Sequence, residues 1–234
     1  MKRSILAPTL ILAPLLLAAP LQAQNSEHLE RFLATNQCVR CDLKGASLVS
    51  SEFKRALLTG ADLSRADLFG ANLSEADLRR ANMEQAALGS ANLSGAFLSG
   101  ALLKNAFLRS SNLSRANLVA TNLSGANLSR ANLVEAFLEG ADLSRAYLFD
   151  AIFKSSNLNR VNFSGAYLEA ADLSNASLRN ADLRNADLRN ADLTNADLSR
   201  ANLTSADLRG TNFFGANLCG ATLPDGSTSS KGCQ

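Results

Sequence analysis

The sequence predicts an all-β solenoid, a chain wound into stacked coils, and two observations lead to this fold class. A unit of five residues repeats without insertion or deletion over residues 41–223, and it is clearest in the run ADLRNADLRNADLTNADL at 181–198. The central residue is leucine in 32 of 37 units, and the residue two positions earlier is alanine in 30. A period this strict indicates a repeat architecture.

With a period of five residues, neither an α-helix nor a straight β-strand can bury all the central leucines. On an α-helix five residues advance about 500°, so the leucines would spread over every face. Along a straight strand side chains alternate, so leucines five residues apart would point to opposite faces. All centres stay inside only if the chain turns once per unit, with the leucine and the preceding alanine directed inward. Four such sides close a square coil of about 20 residues.

The unit A(D/N)LXX over residues 41–223 resembles the pentapeptide-repeat family. This resemblance implies a right-handed quadrilateral parallel β-helix in which the central residue and the residue two before it point inward. Coils stacked about 4.8 Å apart would then number about nine. Because burial of one leucine contributes about 1.5–3 kcal/mol before entropy is subtracted, the leucines would form the core. We predict a single β-helical domain over residues 38–223 with a short N-terminal α-helical cap.

Residues 1–23 are predicted to be a secretory signal peptide. Two cations precede an apolar run over 5–17, and the segment ends at the small residue Ala23. A membrane anchor is the alternative, but two prolines interrupt the run and no basic flank follows it, so we expect no stable membrane span after signal removal. Removal of the two cations leaves 21 basic and 21 acidic residues, so the mature chain would be formally neutral.

Residues 24–37 are predicted to form a cap built on one short helix. Leu29, Phe32 and Leu33 make one apolar helix face. The first coil of a solenoid exposes unpaired backbone and leucines, and such an end invites aggregation unless it is covered. His28, the single histidine, is on the polar face of this helix and is expected to be an ordinary surface residue.

The sequence CVRC at 38–41 places two cysteines at the first unit, and three interpretations compete for it. A structural disulfide is favoured by export to an oxidising compartment and by the even count of four cysteines. A redox-active dithiol usually lies beside a βαβ unit, which the repeat pattern does not contain. A metal site would need a second ligand pair of similar spacing, but Cys219 and Cys233 are far apart in the sequence and lie at the other end of the rod.

The run NQCVRCDLKGASL after a short helix also resembles secreted pentapeptide-repeat proteins of cyanobacteria, which commonly carry cysteine at this junction. At the other end, a Pro-Asp-Gly turn breaks the repeat, and residues 224–234 are predicted to fold as a tail over the last coil. We predict the disulfides Cys38–Cys41 and Cys219–Cys233. Each disulfide would pin a lid on one end of the rod.

The outward positions of the unit are predicted to be structural for the most part. Asp or Asn before the centre can bond nearby backbone at the corner, and glycine two residues after the centre suits a positive φ. Arginines fall beside the acids, as in Asp182 with Arg184, so the charges are expected to alternate rather than segregate. A leucine-filled interior leaves no pocket, and the sequence contains no catalytic set, so we predict no enzyme activity, no metal and no cofactor.

Some pentapeptide-repeat proteins imitate DNA and occupy DNA gyrase by presenting an acidic rod. Export and a neutral mature charge argue against this function here, because such mimicry needs uncompensated negative charge. No basic stripe is present in the sequence either, so direct nucleic-acid binding is not predicted.

The surface that we expect to carry function appears when the chain is folded at 20 residues per coil. Five aromatic residues then fall on one side and form a candidate interaction surface, which alternatively stabilises the coils by stacking. These residues are Phe69, Phe107, Tyr147, Phe149 and Tyr167. The opposite side carries a secondary apolar patch of Leu57, Phe97 and Phe137.

Taken together, these features predict an exported, non-enzymatic structural or protein-interaction scaffold of the periplasm or thylakoid lumen. Its expected partner is a protein, with weak self-association through the aromatic side as a further expectation. The main alternative is a redox-responsive lumenal protein in which Cys38 and Cys41 cycle between dithiol and disulfide.

Overall fold

The computed structural model describes residues 26–233 and begins with one helix, α1, at Ser26–Thr35. The helix ends at Asn36, whose φ of 59° is left-handed and whose amide donates to the carbonyl of Phe32 at 2.8 Å. Phe32 is fully buried, and its ring centroid lies 4.5 Å from that of Phe53. Phe32 and the partly buried Leu29 therefore pack on the first coil, whereas Leu33, which was predicted to share this face, is 57% exposed.

The coils are held together by isolated β-bridges. Every bridge from Gln37–Leu57 to Asn202–Thr222 is parallel and joins residues 20 positions apart. Four pentapeptides therefore complete one turn, as the repeat predicts. Within residues 26–233 the bridges do not extend into continuous strands, because the chain turns away after each bridging residue.

The four sides of the coil are named here in chain order by their bridging residues, each column advancing in steps of 20. Side 1 contains the column 37–217, side 2 the column 42–222, side 3 the column 47–207 and side 4 the column 52–212. Two pentapeptides separate side 1 from side 3. These two sides are therefore opposite each other.

One unit in the middle of the chain shows how each corner is made. The amide of Ala116 donates to the carbonyl of Leu113 at 3.1 Å and closes a turn whose third residue, Arg115, has a φ of 56°. A positive φ at the third position alone is the pattern of a type II turn. The amide of Leu118 then donates to the carbonyl of Phe137 in the next coil at 2.7 Å. Each unit thus turns the chain and bonds to its neighbour.

Glycine at the corner does more than permit a positive φ. The predicted positive φ is confirmed, for example at 66° in Gly60, but non-glycine residues adopt it at the same position, as Arg65 does at 59°. A side chain on Gly60 would meet the Cγ atom of Arg40 at 3.4 Å, and one on Gly100 would meet that of Arg80 at 3.7 Å. Glycine therefore leaves room for a long side chain that leans over from the preceding coil.

The inward positions form one continuous apolar core of leucine and alanine side chains. Phe153 and Phe163 enlarge it locally and meet edge to face, with centroids 5.8 Å apart. Ser111, Thr121 and Ser156 replace alanine and are buried, and their hydroxyls donate to backbone carbonyls at 2.6–2.9 Å. The polar replacements are therefore hydrogen-bonded within the core.

The tail covers only two of the four sides of the last coil. Thr228 forms an antiparallel bridge with Thr222, and the amides of Leu218 and Gly220 donate to tail carbonyls at 3.0 and 2.9 Å. These contacts lie on sides 1 and 2. On sides 3 and 4 of the last coil, the amides that would donate to a following coil have no hydrogen-bond partner within residues 26–233. They are the amides of Leu208, Gly210, Phe213 and Gly215.

The predicted signal peptide at 1–23 lies outside the residues that the structure describes. Among residues 26–233, no helix has the length and apolar character needed to traverse a bilayer.

Candidate functional site

The five predicted aromatic residues are all exposed on side 3 or at the corner that follows it. Their exposed fractions range from 41% for Phe149 to 57% for Phe107. The ring of Phe69 lies over Gly89 of the next coil, since a side chain on Gly89 would come within 3.1 Å of it. The register therefore brings these residues onto one surface, which we call the aromatic side: Phe69, Phe107, Tyr147, Phe149 and Tyr167.

Tyr147 and Tyr167 stack on each other along the rod. Their ring centroids are 5.1 Å apart and their planes differ by 10°. This separation is close to the distance between coils, about 4.8 Å, so each ring covers one face of the other, and both side chains remain about half exposed. The pair stabilises adjacent coils by cross-strand stacking and also offers an apolar edge to a partner.

The charges around the aromatic side are mostly neutralised by ion pairs. Arg189 contacts Glu169 at 2.8 Å and Asp187 at 2.7 Å, and Arg209 contacts Asp207 at 2.6 Å. A further pair joins Arg130 and Asp150 at 3.4 Å. The aromatic side is therefore an apolar surface with almost no net field.

Several carboxylates are hydrogen-bonded to the arginine two residues later. The guanidinium of Arg79 lowers the pKa of Asp77 to about 2, and that of Arg209 lowers the pKa of Asp207 to about 2. The Asp oxygen also accepts the amide two residues on, at 3.2 Å for Asp77, which confirms the predicted corner bond. Similar amide bonds recur at 2.9–3.2 Å in many units, including those of Asp62 and Asn112.

These pairs predict a loss of stability in acid. Because the pKa of Asp77 is lowered on folding, its contribution is present above the unfolded value of about 4 and is lost as the pH falls toward about 2. In the Asp77→Asn or Arg79→Gln variant, we expect the fall in Tm between pH 4 and pH 2 to be about 2 °C smaller than in the parent protein. The effect is small because solvent screens this pair. Thermal unfolding followed by circular dichroism measures the difference. Equal acid sensitivity in all three proteins would show that the pair does not contribute.

Side 1 carries the secondary patch and also an unexpected excess of positive charge. Leu57, Phe97 and Phe137 occupy one bridging column and are 42–51% exposed. The side and its following corner contain six arginines and only three acidic residues. The prediction that charges alternate rather than segregate is therefore wrong for this side, because it considered neighbours in sequence and not the column that the 20-residue register creates.

Both predicted cysteine pairs lie at disulfide-bond distance. The sulfur atoms of Cys38 and Cys41 are 2.05 Å apart, and those of Cys219 and Cys233 are 2.01 Å apart. The first pair is buried beneath α1, where Nη2 of Arg31 lies 2.7 Å from Sγ of Cys41. Within residues 26–233, no group of three or more potential ligands could hold a metal ion.

The prediction that His28 is an ordinary surface residue is wrong. Its side chain is half-buried at the junction between α1 and the first coil. The amide of Asp42 donates to Nδ1 of His28 at 3.1 Å. This amide belongs to the first coil, where no earlier coil can accept its bond, so His28 takes the place of a missing neighbour.

One exposed aromatic residue at the C-terminal end was not among the predicted surface residues. Phe214 is 77% exposed, more than any other large apolar residue described. It follows the inward Phe213 on side 4, where the last coil is uncovered. The doubled phenylalanine in NFFG was the available signal, because the second one falls at an outward turn position.

A protein-family model matches the sequence along nearly the whole rod. A family model described as pentapeptide repeats matches in eight copies between residues 37 and 224. The chain belongs to the pentapeptide-repeat family. Together the matches cover the overlapping ranges 37–74, 66–105, 91–130, 111–148, 126–165, 162–204 and 186–224. Pentapeptide repeats form right-handed quadrilateral β-helices, in agreement with the four-sided register of this pentapeptide-repeat protein.

Solved structures of other family members resemble this pentapeptide-repeat protein. HetL, a protein from the cyanobacterium Nostoc involved in heterocyst differentiation regulation, is 35% identical, with 88% of this chain and 100% of HetL covered and a TM-score of 0.63. QnrB1, a plasmid-mediated fluoroquinolone resistance protein, is 22% identical over 73% of this chain and 90% of its own, with a TM-score of 0.48. A thylakoid-lumen protein of Arabidopsis thaliana is 28% identical over 42% of this chain and 61% of its own, with a TM-score of 0.24. No curated protein sequence matches.

Proposed function

We propose that this pentapeptide-repeat protein is an exported, non-enzymatic scaffold that docks a protein partner on its aromatic side. The observation that carries the proposal is the exposure of five aromatic residues on one side of the rod, three of which, Tyr147, Phe149 and Tyr167, cluster in two adjacent coils, in a surface otherwise formed by Ser, Asn and mostly paired charges. Clustered, half-exposed Phe and Tyr side chains are typical of protein interfaces.

The chemistry of the aromatic side indicates what kind of protein would bind. Three of its four arginines are held by acidic neighbours, Arg109 being the exception, and the side with its corner carries four arginines against five acidic residues, so it does not select a strongly charged partner. The hydroxyls of Tyr147 and Tyr167 lie at ring edges that face solvent and can bond to a polar rim. A neutral apolar patch with a few hydrogen-bonding groups fits this surface best.

Site-specific photocrosslinking in the native envelope tests the proposal. A photoreactive phenylalanine analogue placed at Phe107 should crosslink a protein, whereas the same group at Phe163, which is buried, should not. The captured protein is then purified and its affinity measured for the parent and for a variant with Phe107, Tyr147 and Tyr167 changed to Asn. Asparagine already occupies this column at Asn127. We expect affinity to fall at least about tenfold, in line with the loss of interface anchors.

Two results would contradict docking on the aromatic side. Unchanged affinity in the Asn variant would assign the aromatic residues to coil stacking alone. Crosslinking that is equally strong from Phe107 and from a residue on side 2 would indicate nonspecific contact. Circular dichroism must show the same fold for parent and variant before either result is interpreted.

Export is proposed to the periplasm or to the thylakoid lumen, with removal of residues 1–23. The support is the charged, apolar and small-residue order of this segment. Mass spectrometry of the protein purified from its native cells should find Gln24 as the N-terminal residue. A protein that keeps Met1 or residues 2–23 would refute this processing.

We propose that α1 and the tail over 224–234 are caps for the two ends of a solenoid of about nine coils. The buried contact between Phe32 and Phe53 supports this role for α1. The bridge between Thr222 and Thr228 supports it for the tail. The Cys219–Cys233 pair ties the tail to the last coil, and the Cys38–Cys41 pair lies in the first coil beneath α1.

The Cys38–Cys41 pair is proposed to be a structural staple, and its redox behaviour can test that role. Both residues are 1–2% exposed beneath α1, so an attacking thiolate has no direct path to either sulfur. We expect a reduction potential below about −300 mV, measured by equilibration in dithiol buffers and mass spectrometry of alkylated protein. Cys219–Cys233, which is more exposed, serves as the internal comparison and should be reduced first.

A much less negative potential for Cys38–Cys41 would favour the redox-responsive alternative. In that case Arg31, with its guanidinium 2.7 Å from Sγ of Cys41, would stabilise the thiolate that reduction releases. Gyrase-directed DNA mimicry is not proposed, because residues 24–234 contain equal numbers of basic and acidic side chains.

A further inference from the structure

Side 1 combines a single row of exposed apolar side chains with arginines at its edge. Leu57, Phe97 and Phe137 project from every second coil of one column, about 10 Å apart at the usual spacing. Val39 and Val119 extend the apolar surface at the adjoining corner, with exposed fractions of 53% and 36%. No two of the three column residues are in adjacent coils, in contrast to the stacked tyrosines of the aromatic side.

The positive excess of side 1 is concentrated in three arginines. The acids of this side are each paired with an arginine, at 2.6 Å for Asp77, 3.5 Å for Glu139 and 3.5 Å for Asp197. The remaining arginines have no ion-pair partner within residues 26–233, and all are exposed. They are Arg40, Arg80 and Arg200.

These arginines lie in one corner column, and glycines in the next coil leave room for two of them beside the apolar row. The stem of Arg40 passes over Gly60 and that of Arg80 over Gly100. Arg200 is placed in the same way over Gly220, where an added side chain would meet its Cγ atom at 3.5 Å. The corner thus offers unpaired cations beside the row at Arg40 and Arg80, and a third at Arg200, three coils beyond Phe137.

We propose that side 1 is a peripheral docking surface for an anionic lipid bilayer. Apolar side chains on one face, flanked by unpaired cations, are the combination by which a protein surface lies in a membrane interface. The apolar row would enter the interface, and the three arginines would contact lipid phosphates. This proposal concerns the surface of the rod and does not depend on the function proposed for the aromatic side.

The spacing of the row favours a lipid surface over a protein. Binding energy at protein interfaces concentrates in clustered side chains that fill pockets in the partner. The apolar side chains of side 1 are instead separated by a polar residue in the intervening coil, such as Asn117 between Phe97 and Phe137. Isolated side chains on a straight side can each enter a fluid interface without a matching pocket.

Tryptophan fluorescence can report which side contacts lipid, because the chain contains no tryptophan. The full chain carrying Phe97→Trp reports on side 1, and the full chain carrying Tyr147→Trp reports on the opposite side. Both are mixed with vesicles of phosphatidylcholine alone or with an equal part of phosphatidylglycerol. We expect a blue shift and quenching by brominated lipid for Phe97→Trp on the anionic vesicles only. Residues 1–25 are identical in both proteins, so their contribution does not distinguish the two sides.

Two further variants separate the charged and apolar contributions. Changing Arg40, Arg80 and Arg200 to Gln in the Phe97→Trp protein should weaken binding to anionic vesicles at least about tenfold and reduce its salt dependence. Glutamine suits this position of the unit, since Gln85 adopts a φ of 59° at the corresponding position of another corner, close to the 53–59° of the three arginines. Changing Leu57 and Phe137 to Asn, the residue already present at Asn117, should reduce the blue shift of the remaining Phe97→Trp reporter.

Three results would overturn the proposal. The first is an absence of any shift in the Phe97→Trp protein on anionic vesicles. The second is an equal shift in the Tyr147→Trp protein, which would indicate unoriented binding. The third is a blue shift that grows with protein concentration without lipid, which would show that a second copy of the chain covers side 1. Identical circular dichroism in all variants is the control for folding.

Discussion

A protein lacking residues 111–130 is expected to fold and to unfold in one cooperative transition, whereas a protein lacking residues 111–129 should be less stable by at least about 3 kcal/mol. The first deletion removes one full turn, so Ser110 is followed by Ala131 and every later residue keeps its column. The second deletion leaves Arg130 as one extra residue at a corner. The coil must then bulge, and several backbone bonds between coils are lost.

The two deletions are nearly equal in length and composition, so their comparison isolates the register. Unfolding in urea, followed by circular dichroism, gives the free energies. Hydrogen exchange should locate the loss in the coils beside the junction of the 111–129 deletion, where the amides no longer face carbonyls 19 positions on, as Leu118 faces Phe137. Equal stability of the two proteins would show that the stack tolerates slippage and that the 20-residue register is not the source of its stability.

Leu103→Ala is expected to destabilise the protein by about 2–5 kcal/mol, while Leu102→Ala should cost less than about 1 kcal/mol. The residues are neighbours and the chemical change is the same. Leu103 is 1% exposed and points into the core, whereas Leu102 is 42% exposed in the column of side 2. Removing the buried side chain leaves a cavity that the rigid bonds between coils prevent from collapsing.

Equilibrium denaturation of the parent and the two variants tests this difference. If Leu102→Ala were as damaging as Leu103→Ala, the outward column would contribute to the core and the inward assignment of the repeat would fail. A cost below about 1 kcal/mol for Leu103→Ala would show that adjacent coils move together to refill the space.

The repeat made the core and the register predictable, because both follow from one period. Leucine at the centre of a five-residue unit can be buried only if the chain turns at each unit, and this reasoning leads to four sides and a step of 20. The buried Leu103 beside the exposed Leu102 is the outcome. The bridges remain isolated for the same reason, since a chain that turns so often has no room for extended strands.

Features that depend on two coils were harder to predict. The glycine at 60 is explained as well by the stem of Arg40, 20 residues earlier, as by its own φ. The positive charge excess of side 1 also becomes visible only when residues 20 positions apart are placed on the same side. His28 was misjudged because its partner, the amide of Asp42, is free only where the stack begins. Sequence patterns within one unit do not contain this information.

The surface patches illustrate a different limit. The sequence placed Tyr147 and Tyr167 on one side, but it did not give the orientation of their rings. In the structure the rings stack along the rod, so much of their apolar area is already used between coils. The available binding area is therefore smaller than a count of exposed aromatics would indicate.

The constant separation of 20 residues between bridged positions also bears on how the chain finds its fold. Each new coil closes a loop of the same length on the coil before it, so the entropy cost of a step does not grow as the rod lengthens. Relative contact order consequently falls as coils are added. A longer rod of this design would need more steps to fold, but no step would be harder than the first, and the number of coils can change through evolution without creating a folding problem.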